Sequence, residues 1–352
     1  MALFSKENSY LGVDIGAHNI KLVELEDQRG RPRLLTYGYT DQIVSSDVPD
    51  LLENVDETVL IIKELIKKAK VKSKKVVAAL PVSSIFSSVI SLSNIKADSP
   101  KDLEDAIKWQ AKKVIPMPLE EMILYHNVLK KAEEKVDGRA LVQRFLLTAA
   151  PRNLVKIYLD IFKKAGLQII SLETESFALS RSLIGSDKSA VMVVDMGEAT
   201  TNISVVRDGV PLLNRSIDTA GQSFTKIFSK NLGLDNLTAE RFKRDLSGLT
   251  AQSEIAAIKE LFDNLVHEIN YCFNLYQQES NMIDGKIEKI ILTGGSALLP
   301  NLDKYLSQNL NVKAFLGDPW ARIVYPQDLQ PILDKIGPRL SIAIGLAMRE
   351  IS

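Results

Sequence analysis

Two acidic turns of similar sequence are the clearest candidates for chemistry in this chain. Residues 11–23 (LGVDIGAHNIKLV) and 191–206 (VMVVDMGEATTNISVV) each place an aspartate, one apolar residue and a glycine between two apolar segments. The aspartates are Asp14 and Asp195, and they are separated by about half the length of the chain. Repetition at that spacing predicts two similar lobes that face a shared cleft.

Turns of this type could bind phosphate groups and a magnesium ion. The glycine lets the backbone approach a ligand closely, and successive N–H groups of a tight turn attract phosphate oxygens. Each aspartate could hold Mg²⁺ through water, because that ion prefers a few carboxylates together with substrate phosphates. One such turn alone would usually be an ordinary hairpin, whereas two matched copies favour a clamp for a polyphosphate. Neither copy is a P-loop or a Rossmann fingerprint.

A third segment could complete such a cleft. Residues 290–300 (IILTGGSALLP) predict a strand, a pair of glycines and the start of a helix. The glycines would let a nucleotide lie against the backbone, and the helix N-terminus would favour its anionic side. Taken alone, the segment is equally consistent with a plain connection between a strand and a helix.

The composition excludes several classes of function. The 352 residues predict two or three compact units. Lysine plus arginine equals aspartate plus glutamate, at 44 each, which disfavours bulk binding to nucleic acid. The single cysteine, Cys272, excludes an internal disulfide and a cysteine-rich zinc site. The apolar runs are too short to span a bilayer and no signal peptide is apparent, so we expect a cytosolic protein without direct membrane insertion.

Hydrophobic periodicity predicts both strands and helices, which indicates an α/β protein. Strands are predicted at 11–15, 20–25, 33–39, 76–80, 85–92, 123–129, 140–149, 190–195, 202–206 and 289–293. Helices are predicted from Ser99 to Val114 and at 58–69, 154–165, 254–279, 298–310 and 340–349. Cys272 falls on the apolar stripe of the helix at 254–279, so we expect a core residue rather than a reactive thiol.

Residues 84–170 form a separate unit in this pattern. Its predicted order is strand, helix, strand, strand, helix, with a hairpin across the polar residues 133–138. Ser99 is the predicted N-cap of the first helix, and Gly166 ends the second. This order predicts an α+β insert with its own small core.

The order of two acidic turns and a pair of glycines resembles that of the nucleotide-binding fold of actin, Hsp70 and the sugar kinases, over almost the whole chain. The insert resembles the extra subdomain of the FtsA branch. Four phrases are also similar to the PilM family of type IV pilus assembly proteins: VDIG with KLVE at 13–24, KWQAKKVIPMP at 108–118, AGL at 165–167 and SLETESFAL at 171–179.

The fold implied by this resemblance is α/β: an actin-like (ribonuclease H-like) two-lobed ATPase fold with an FtsA-type α+β insert subdomain. It implies a first lobe of 1–83, 171–185 and 337–352, an insert of 84–170, a second lobe of 186–220 and 285–336, and a helical subdomain of 221–284.

The same resemblance implies that ATP and Mg²⁺ bind between the lobes, with Asp14 and Asp195 as the metal ligands. The first phosphate motif would comprise Asp14, Gly16, Ala17, His18, Asn19 and Lys21. The second would comprise Asp195, Gly197, Glu198, Ala199, Thr200 and Thr201. The remaining nucleotide contacts would come from Gly221, Glu240, Lys243, Gly294, Gly295 and Ser296.

The residues that would act in catalysis are less definite. Glu175 stands where relatives carry a residue that orients the attacking water, and Glu173 is an alternative. His18 replaces the small hydroxyl residue of the family, so we expect at most slow ATPase activity. Glu240 and Lys243 share one face of a helix, although such a pair alone is most often an exposed ion pair.

The resemblance further implies an adaptor that nucleotide switches between conformations. Its partner would be the short cytoplasmic N-terminal peptide of a PilN-like inner-membrane protein, bound in extended form between the first lobe and the insert. The protein would then be cytoplasmic and peripheral to the inner membrane through that partner. Self-association and contacts with other components of the pilus machinery are left open.

Two alternatives are also considered. An FtsA-like cell-division protein that forms membrane-tethered filaments would carry an amphipathic helix after its closing helix, and the sequence predicts none. A small-molecule kinase would need a general-base aspartate near the acceptor hydroxyl, and no carboxylate is placed so as to demand that role.

Overall fold

The computed structural model of the protein describes residues 8–40, 50–93, 100–130, 142–244, 252–280 and 286–351. The strands are β1 (Ser9–Ile15), β2 (Ile20–Asp27), β3 (Pro32–Tyr39), β4 (Lys75–Leu80), β5 (Phe86–Ser93), β6 (Met122–Lys130), β7 (Val142–Pro151), β8 (Gln168–Thr174), β9 (Ala190–Met196), β10 (Thr201–Arg207), β11 (Val210–Ile217), β12 (Ile287–Thr293) and β13 (Lys313–Leu316). The helices are α1 (Val55–Ala69), α2 (Pro100–Val114), α3 (Arg152–Ala165), α4 (Glu175–Leu179), α5 (Gly221–Leu232), α6 (Asn236–Arg244), α7 (Gln252–Ser280), α8 (Leu302–Leu310) and α9 (Gln330–Met348).

Two five-stranded sheets have the same topology. Their strand orders are β3-β2-β1-β4-β8 and β11-β10-β9-β12-β13. In each sheet the first three strands form an antiparallel meander, and the last two join in parallel. The repeat in the sequence is therefore a structural repeat, and the prediction of two similar lobes is confirmed.

The outer face of the first sheet is covered by α1 and α3. Asn54 caps α1 by accepting the N–H of Glu57 through its side chain, and Val59, Ile62 and Leu65 form the apolar stripe of this helix. On α3, the stripe ends in Phe162, and Gly166 terminates the helix in the left-handed conformation. These side chains pack on alternate residues of β1, β2 and β4.

A thin apolar layer joins the two lobes. Here α4, the π-helical turn Ser180–Ile184 and α9 pack between the sheets. The layer contains Val77 of the first sheet, Val193 of the second, and Ala178 and Leu346 of the two helices. Burial of apolar surface from both sheets in one layer stabilises the lobes against separation.

The second lobe buries the other face of its sheet under α5, α7 and α8. Cys272 of α7 is fully buried in this core, and burial raises the pKa of its thiol to about 11. The prediction of a core cysteine rather than a reactive one is therefore confirmed. None of the helices in the described ranges is both long and apolar enough to cross a membrane.

The insert has its own core, but it is smaller than predicted. Its three-stranded sheet has the order β5-β7-β6, and α2 covers one face through residues such as Ile107 and Ala111. The last predicted element of the insert, α3, packs instead with α1 in the core of the first lobe. Its apolar stripe correctly indicated burial, but the choice of partner depends on contacts distant in sequence. Ser99 and the hairpin at 133–138 lie outside the described residues.

Two predicted helix boundaries are wrong. The helix predicted at 298–310 begins at Leu302, because Gly295–Leu298 forms a 3₁₀ turn and Asn301 is left-handed, with φ 61°. The closing helix begins at Gln330 rather than Leu340, and it contains Pro338 in its interior. A proline predicts a helix end because it removes a backbone donor, which is why the first turns were missed. Strands β8, β11 and β13 and helices α4 and α5 were not predicted.

Gly12 of β1 provides a test of how closely α9 packs on the first sheet. A Cβ atom at this position would lie 2.0 Å from the carbonyl oxygen of Ala343 and 2.6 Å from the nitrogen of Ala347. Because both contacts are to backbone, the Gly12→Ala variant should lower the free energy of unfolding by about 3 kcal/mol. Urea denaturation of the full chain measures this change.

The matched control is Gly38→Ala in β3, where a Cβ would meet only side-chain atoms at 3.3 Å or more. Those atoms can shift, so the loss of stability should stay below about 1 kcal/mol. Equal losses in the two variants would contradict close backbone packing between β1 and α9.

Candidate functional site

A cleft between the lobes has a volume of about 340 Å³ and receives residues from both sheets. The predicted site residues that line it are Asp14, Gly16, Ala17, Asn19, Lys21, Glu175, Asp195, Gly197, Glu198, Ala199, Thr200, Glu240, Lys243, Gly294, Gly295 and Ser296. The predicted residues outside the lining are His18, Thr201 and Gly221. The structure therefore brings the two acidic turns to one place, as the repeat predicts.

The two turns have the same internal hydrogen bond. In the first, the N–H of Gly16 donates to the carbonyl oxygen of Asn19 at 2.9 Å. In the second, the N–H of Gly197 donates to the carbonyl oxygen of Thr200 at 3.0 Å. Each turn connects two antiparallel strands, and in both lobes the aspartate is one position before the end of the first strand. Both aspartates line the cleft.

Asp14, Lys21 and Asp195 form a buried charged group at the floor of the cleft. Asp14 is 2% exposed and Asp195 is 9% exposed, and Lys21 Nζ donates to Asp14 Oδ2 at 2.9 Å. Burial disfavours the charged form of Lys21, but the charge and hydrogen bond of Asp14, aided by Asp195 and Glu175, raise its pKa overall. Burial raises the pKa of Asp195 to about 6; Asp14 adds to this rise and Lys21 opposes it.

Glu175 joins the same group from the end of β8, where it begins α4. Its Oε2 accepts the N–H of Val82 at 3.0 Å and the Nδ2–H of Asn202 at 3.1 Å. Burial raises the pKa of Glu175 to about 8, with further contributions from Asp14 and Asp195. Only part of this rise is offset by the Val82 N–H and by Lys21.

Glu173, the alternative to Glu175, has a different environment. Its carboxylate forms ion pairs with Arg181 and Arg349, and it does not line the cleft. Of the two glutamates, Glu175 is therefore the one that lines the cleft.

Asn202 is a cleft residue that sequence reasoning missed. It pairs with Asp195 across β9 and β10, as Lys21 pairs with Asp14 across β1 and β2. Its Oδ1 accepts the hydroxyl of Ser216 at 2.8 Å, which directs its amide N–H towards Glu175. The signal was available, because the internal repeat aligns Asn202 with Lys21.

Glu240 and Lys243 form an ion pair on α6 that is mostly buried. The Lys243 and Glu240 side chains are 9% and 17% exposed, and Nζ lies 2.5 Å from Oε2. Lys243 Nζ also donates to the carbonyl oxygen of Gly221 at 3.0 Å, and the hydroxyl of Thr225 donates to Glu240 at 2.6 Å. The pair is therefore fixed to α5 and faces the cleft, rather than lying on an exposed helix surface.

The paired glycines follow β12 and contact the second acidic turn. Gly294 has φ 88°, and a Cβ there would lie 2.4 Å from the carbonyl oxygen of Met196 and 2.6 Å from Asp195 Oδ1. Its N–H donates to the carbonyl oxygen of Pro338 at 2.9 Å. Only glycine fits both the conformation and the space. The helix N-terminus predicted directly after these glycines is wrong, because a 3₁₀ turn intervenes.

The three predicted residues outside the lining lie within the turns or next to them. Thr201 is buried in β10, where its hydroxyl donates to the carbonyl oxygen of Thr219 at 2.7 Å. Gly221 donates its N–H to the carbonyl oxygen of Gly197 at 3.0 Å, which supports the second turn. His18 belongs to the first turn, and its Nδ1 lies 3.4 Å from Glu198 Oε1. None of the three lines the cleft.

Several further lining residues had no signal in the sequence. Asp50, Ser83 and Arg339 reach the cleft from three separate segments of the chain. Arg339 lies on α9, with Nε 3.7 Å from the position of a Cβ on Gly295. Within the described residues, no group of three or more His, Cys, Asp or Glu side chains is arranged to hold a metal ion.

Comparisons with known proteins agree with this architecture. A sequence model of the family described as type IV pilus assembly protein PilM matches residues 12–351. A chain of the PilM-PilN type IV pilus biogenesis complex is 25% identical, with a TM-score of 0.80 over 97% of this chain and 98% of that chain. The cell division protein FtsA of Bacillus subtilis (strain 168) is 23% identical over 342 residues, which cover 83% of this chain and 74% of FtsA.

A more distant structure shares the fold alone. MreB5 of Spiroplasma citri bound to ADP is 13% identical, with a TM-score of 0.50 over 96% of this chain and 94% of that chain. The predicted fold class, an α/β actin-like ATPase fold, is confirmed by these similarities.

The raised pKa of Glu175 predicts how stability depends on pH in the absence of ligand. The folded protein keeps a proton on Glu175 up to about pH 8, whereas the ordinary value is 4.5. Because the folded state holds this proton more tightly than the unfolded state does, the proton stabilises the fold. The stabilisation is fully present below the ordinary pKa and is lost as pH rises through about 8. The Glu175→Gln variant is neutral at every pH. Between about pH 5 and pH 9, its free energy of unfolding should therefore fall by about 2–4 kcal/mol less than that of the unmodified protein.

Urea denaturation at several pH values measures the difference. The control is Glu260→Gln on the exposed face of α7, whose pH profile should follow that of the unmodified protein. Parallel profiles for Glu175→Gln and the unmodified protein would contradict a protonated Glu175 in the folded state.

Proposed function

This chain belongs to the PilM family of type IV pilus assembly proteins, and from that membership we propose that it is an ATP-dependent adaptor of the pilus assembly complex. In this proposal, Mg·ATP binds between the lobes and the insert binds the cytoplasmic N-terminal peptide of a PilN-type inner-membrane protein. The protein would thereby be held at the cytoplasmic face of the inner membrane. One observation supports nucleotide binding above all: two equivalent turns, each with a buried aspartate, line the same cleft.

The chemistry of the cleft fits a magnesium-bound polyphosphate. Asp14 and Asp195 are buried close to Glu175, and burial, with a smaller contribution from the neighbouring carboxylates, raises the pKa values of Asp195 and Glu175. A divalent cation held by Asp14 and Asp195, directly or through water, would supply positive charge there and orient the phosphates. Lys21 would add a second cation beside the phosphates, and the turn N–H groups would donate to phosphate oxygens.

The nucleoside would bind beside the paired glycines. Gly294 and Gly295 offer backbone without side chains, while Glu240 and Lys243 offer a fixed acceptor and donor for hydroxyl groups. A flat, glycine-lined surface beside polar groups suits a ribose and a base.

Glu175 would act in hydrolysis by holding a water molecule against the terminal phosphate. Its Oε2 already accepts two hydrogen bonds, which orients the carboxylate. Without ligand, burial raises the pKa of Glu175 to about 8, and the charge of a bound Mg²⁺ would lower it again. The replacement of the family's small hydroxyl residue by His18 supports a protein with at most slow ATPase activity, which uses the nucleotide mainly as a conformational signal.

The insert offers a surface suited to an extended peptide. Strand β6 is at the edge of its sheet, and Met122 and Leu124 point to the insert core. The alternate residues Ile123 and Tyr125 lie on the opposite face and are 38% and 64% exposed. An edge strand next to exposed apolar side chains can bind a peptide through both its backbone and its side chains.

Contacts at the root of the insert support a link between nucleotide and peptide. Val82 begins the 3₁₀ turn that leads to β5, and its N–H is held by Glu175 in the cleft. Strand β5 also contacts β11 of the second lobe. A change in the angle between the lobes would therefore act on the insert through both contacts.

The Asp195→Asn variant tests the nucleotide proposal and its relation to the adaptor role. Loss of this charge should weaken Mg·ATP binding at least about tenfold, since Mg²⁺ sites depend on carboxylate charge. Affinity for the PilN-type peptide, measured without nucleotide, should stay within about twofold. Isothermal titration calorimetry of the full chain measures both.

Asp208→Asn is the matched control, because Asp208 lies in an exposed turn of the second lobe. It should leave both affinities unchanged. Absence of any Mg·ATP binding by the unmodified protein would refute the nucleotide proposal, and absence of peptide binding would refute the adaptor proposal.

The Tyr125→Ser variant tests the peptide surface. Loss of a large exposed aromatic contact should weaken peptide binding about tenfold, which is typical of a central interface residue. Binding of Mg·ATP should not change, because Tyr125 lies outside the cleft. Tyr271→Ser on α7 is the matched control, with a tyrosine that is 48% exposed on the second lobe. Equal peptide affinity for both variants would argue against β6 as the binding surface.

A further inference from the structure

The side chain of Glu198 bridges the two acidic turns. It extends from the second turn, and its Oε2 accepts the Nδ2–H of Asn19 in the first turn at 2.9 Å. Its other carboxylate oxygen, Oε1, lies 3.4 Å from His18 Nδ1. Glu198 is therefore a direct side-chain connection between the lobes, made at the turns themselves.

The backbone of Glu198 is held by a hydrogen bond from the following helix. The N–H of Gln222, at the start of α5, donates to the carbonyl oxygen of Glu198 at 2.9 Å. The N–H of the neighbouring residue, Gly221, donates to the carbonyl oxygen of Gly197 at 3.0 Å. The second turn is thus anchored from behind by α5, and the side chain of Glu198 projects towards the first turn.

A carboxylate in this place is an anion between two anion-binding turns. The N–H groups of Gly16 and Gly197 are used within their turns. Successive N–H groups in tight turns of this kind attract anions. The Asn19 amide donates to the carboxylate as it would donate to a phosphate oxygen. The negative charge also adds to those of Asp14 and Asp195, which line the same cleft.

The geometry points to Glu198 as a specificity-determining residue that opposes binding of a terminal phosphate. This inference rests on the proposed nucleotide site. A phosphate group that bridges the turns must compete with the carboxylate for the Asn19 amide and must overcome its charge. In this inference the terminal phosphate of a nucleoside triphosphate is the group that reaches the bridge, so a nucleoside diphosphate leaves the bridge in place. The protein should therefore bind ADP at least as tightly as ATP.

The Glu198→Gln variant separates charge from shape. Its amide oxygen can still accept the Asn19 hydrogen bond, but the negative charge is gone. Affinity for Mg·ATP should rise about tenfold, because unit charges a few ångströms apart interact strongly in a partly buried site. Affinity for Mg·ADP should stay within about twofold. Titration calorimetry with both nucleotides gives the ratio of ATP affinity to ADP affinity. The Glu198→Ala variant should shift this ratio in the same direction.

The control is Glu288→Gln on β12, an exposed glutamate of the second lobe outside the cleft, which should leave both affinities unchanged. A ratio of ATP to ADP affinity that changes less than about twofold in Glu198→Gln would overturn the inference while the nucleotide site stands. Weaker ATP binding in this variant would also overturn it, since Glu198 would then be helping to hold the cation. Failure of the unmodified protein to bind either nucleotide would refute the proposed function and the inference together.

Discussion

The burial of three carboxyl groups in one cleft is the constraint on which this molecule depends, because burial disfavours their charged forms. Asp14, Glu175 and Asp195 come from three separate segments, yet they share this cleft with Lys21. Separation of the lobes would return these groups to water, and the apolar layer around α4 and α9 opposes such a separation. The balance between these forces makes the cleft responsive to the charge of whatever enters it.

The internal repeat made most of the fold and much of the cleft predictable. Matched turns around Asp14 and Asp195 indicated two lobes, and the sheets have that symmetry. The repeat could also have identified Asn202, which occupies the place of Lys21 in the second lobe. Ser83 and Arg339 could not be identified in this way, because they reach the cleft through contacts between segments distant in sequence.

The position of α3 shows a related limit. Its apolar stripe predicts a buried helix, and its order after β7 suggests that it belongs to the insert. In the structure, it packs on α1 and completes the core of the first lobe. Periodicity reports that a face is buried, whereas the identity of the opposite surface depends on the tertiary structure. The insert is therefore a three-stranded sheet with one helix, joined to the first lobe by the turn at Val82 and by α3.

Helix α9 has a consequence for how the lobes can move. It packs on β1 with only Gly12 between the two backbones, so it is fixed to the first sheet. At Pro338 its carbonyl oxygen accepts the N–H of Gly294 in the second lobe, and the proline leaves Asp334 without a helical donor. One turn of α9 thus contacts both lobes at the point where the helix lacks one of its backbone hydrogen bonds. Because Gly294 is hydrogen-bonded to this turn, a rotation of the second sheet about it would displace the glycine pair least.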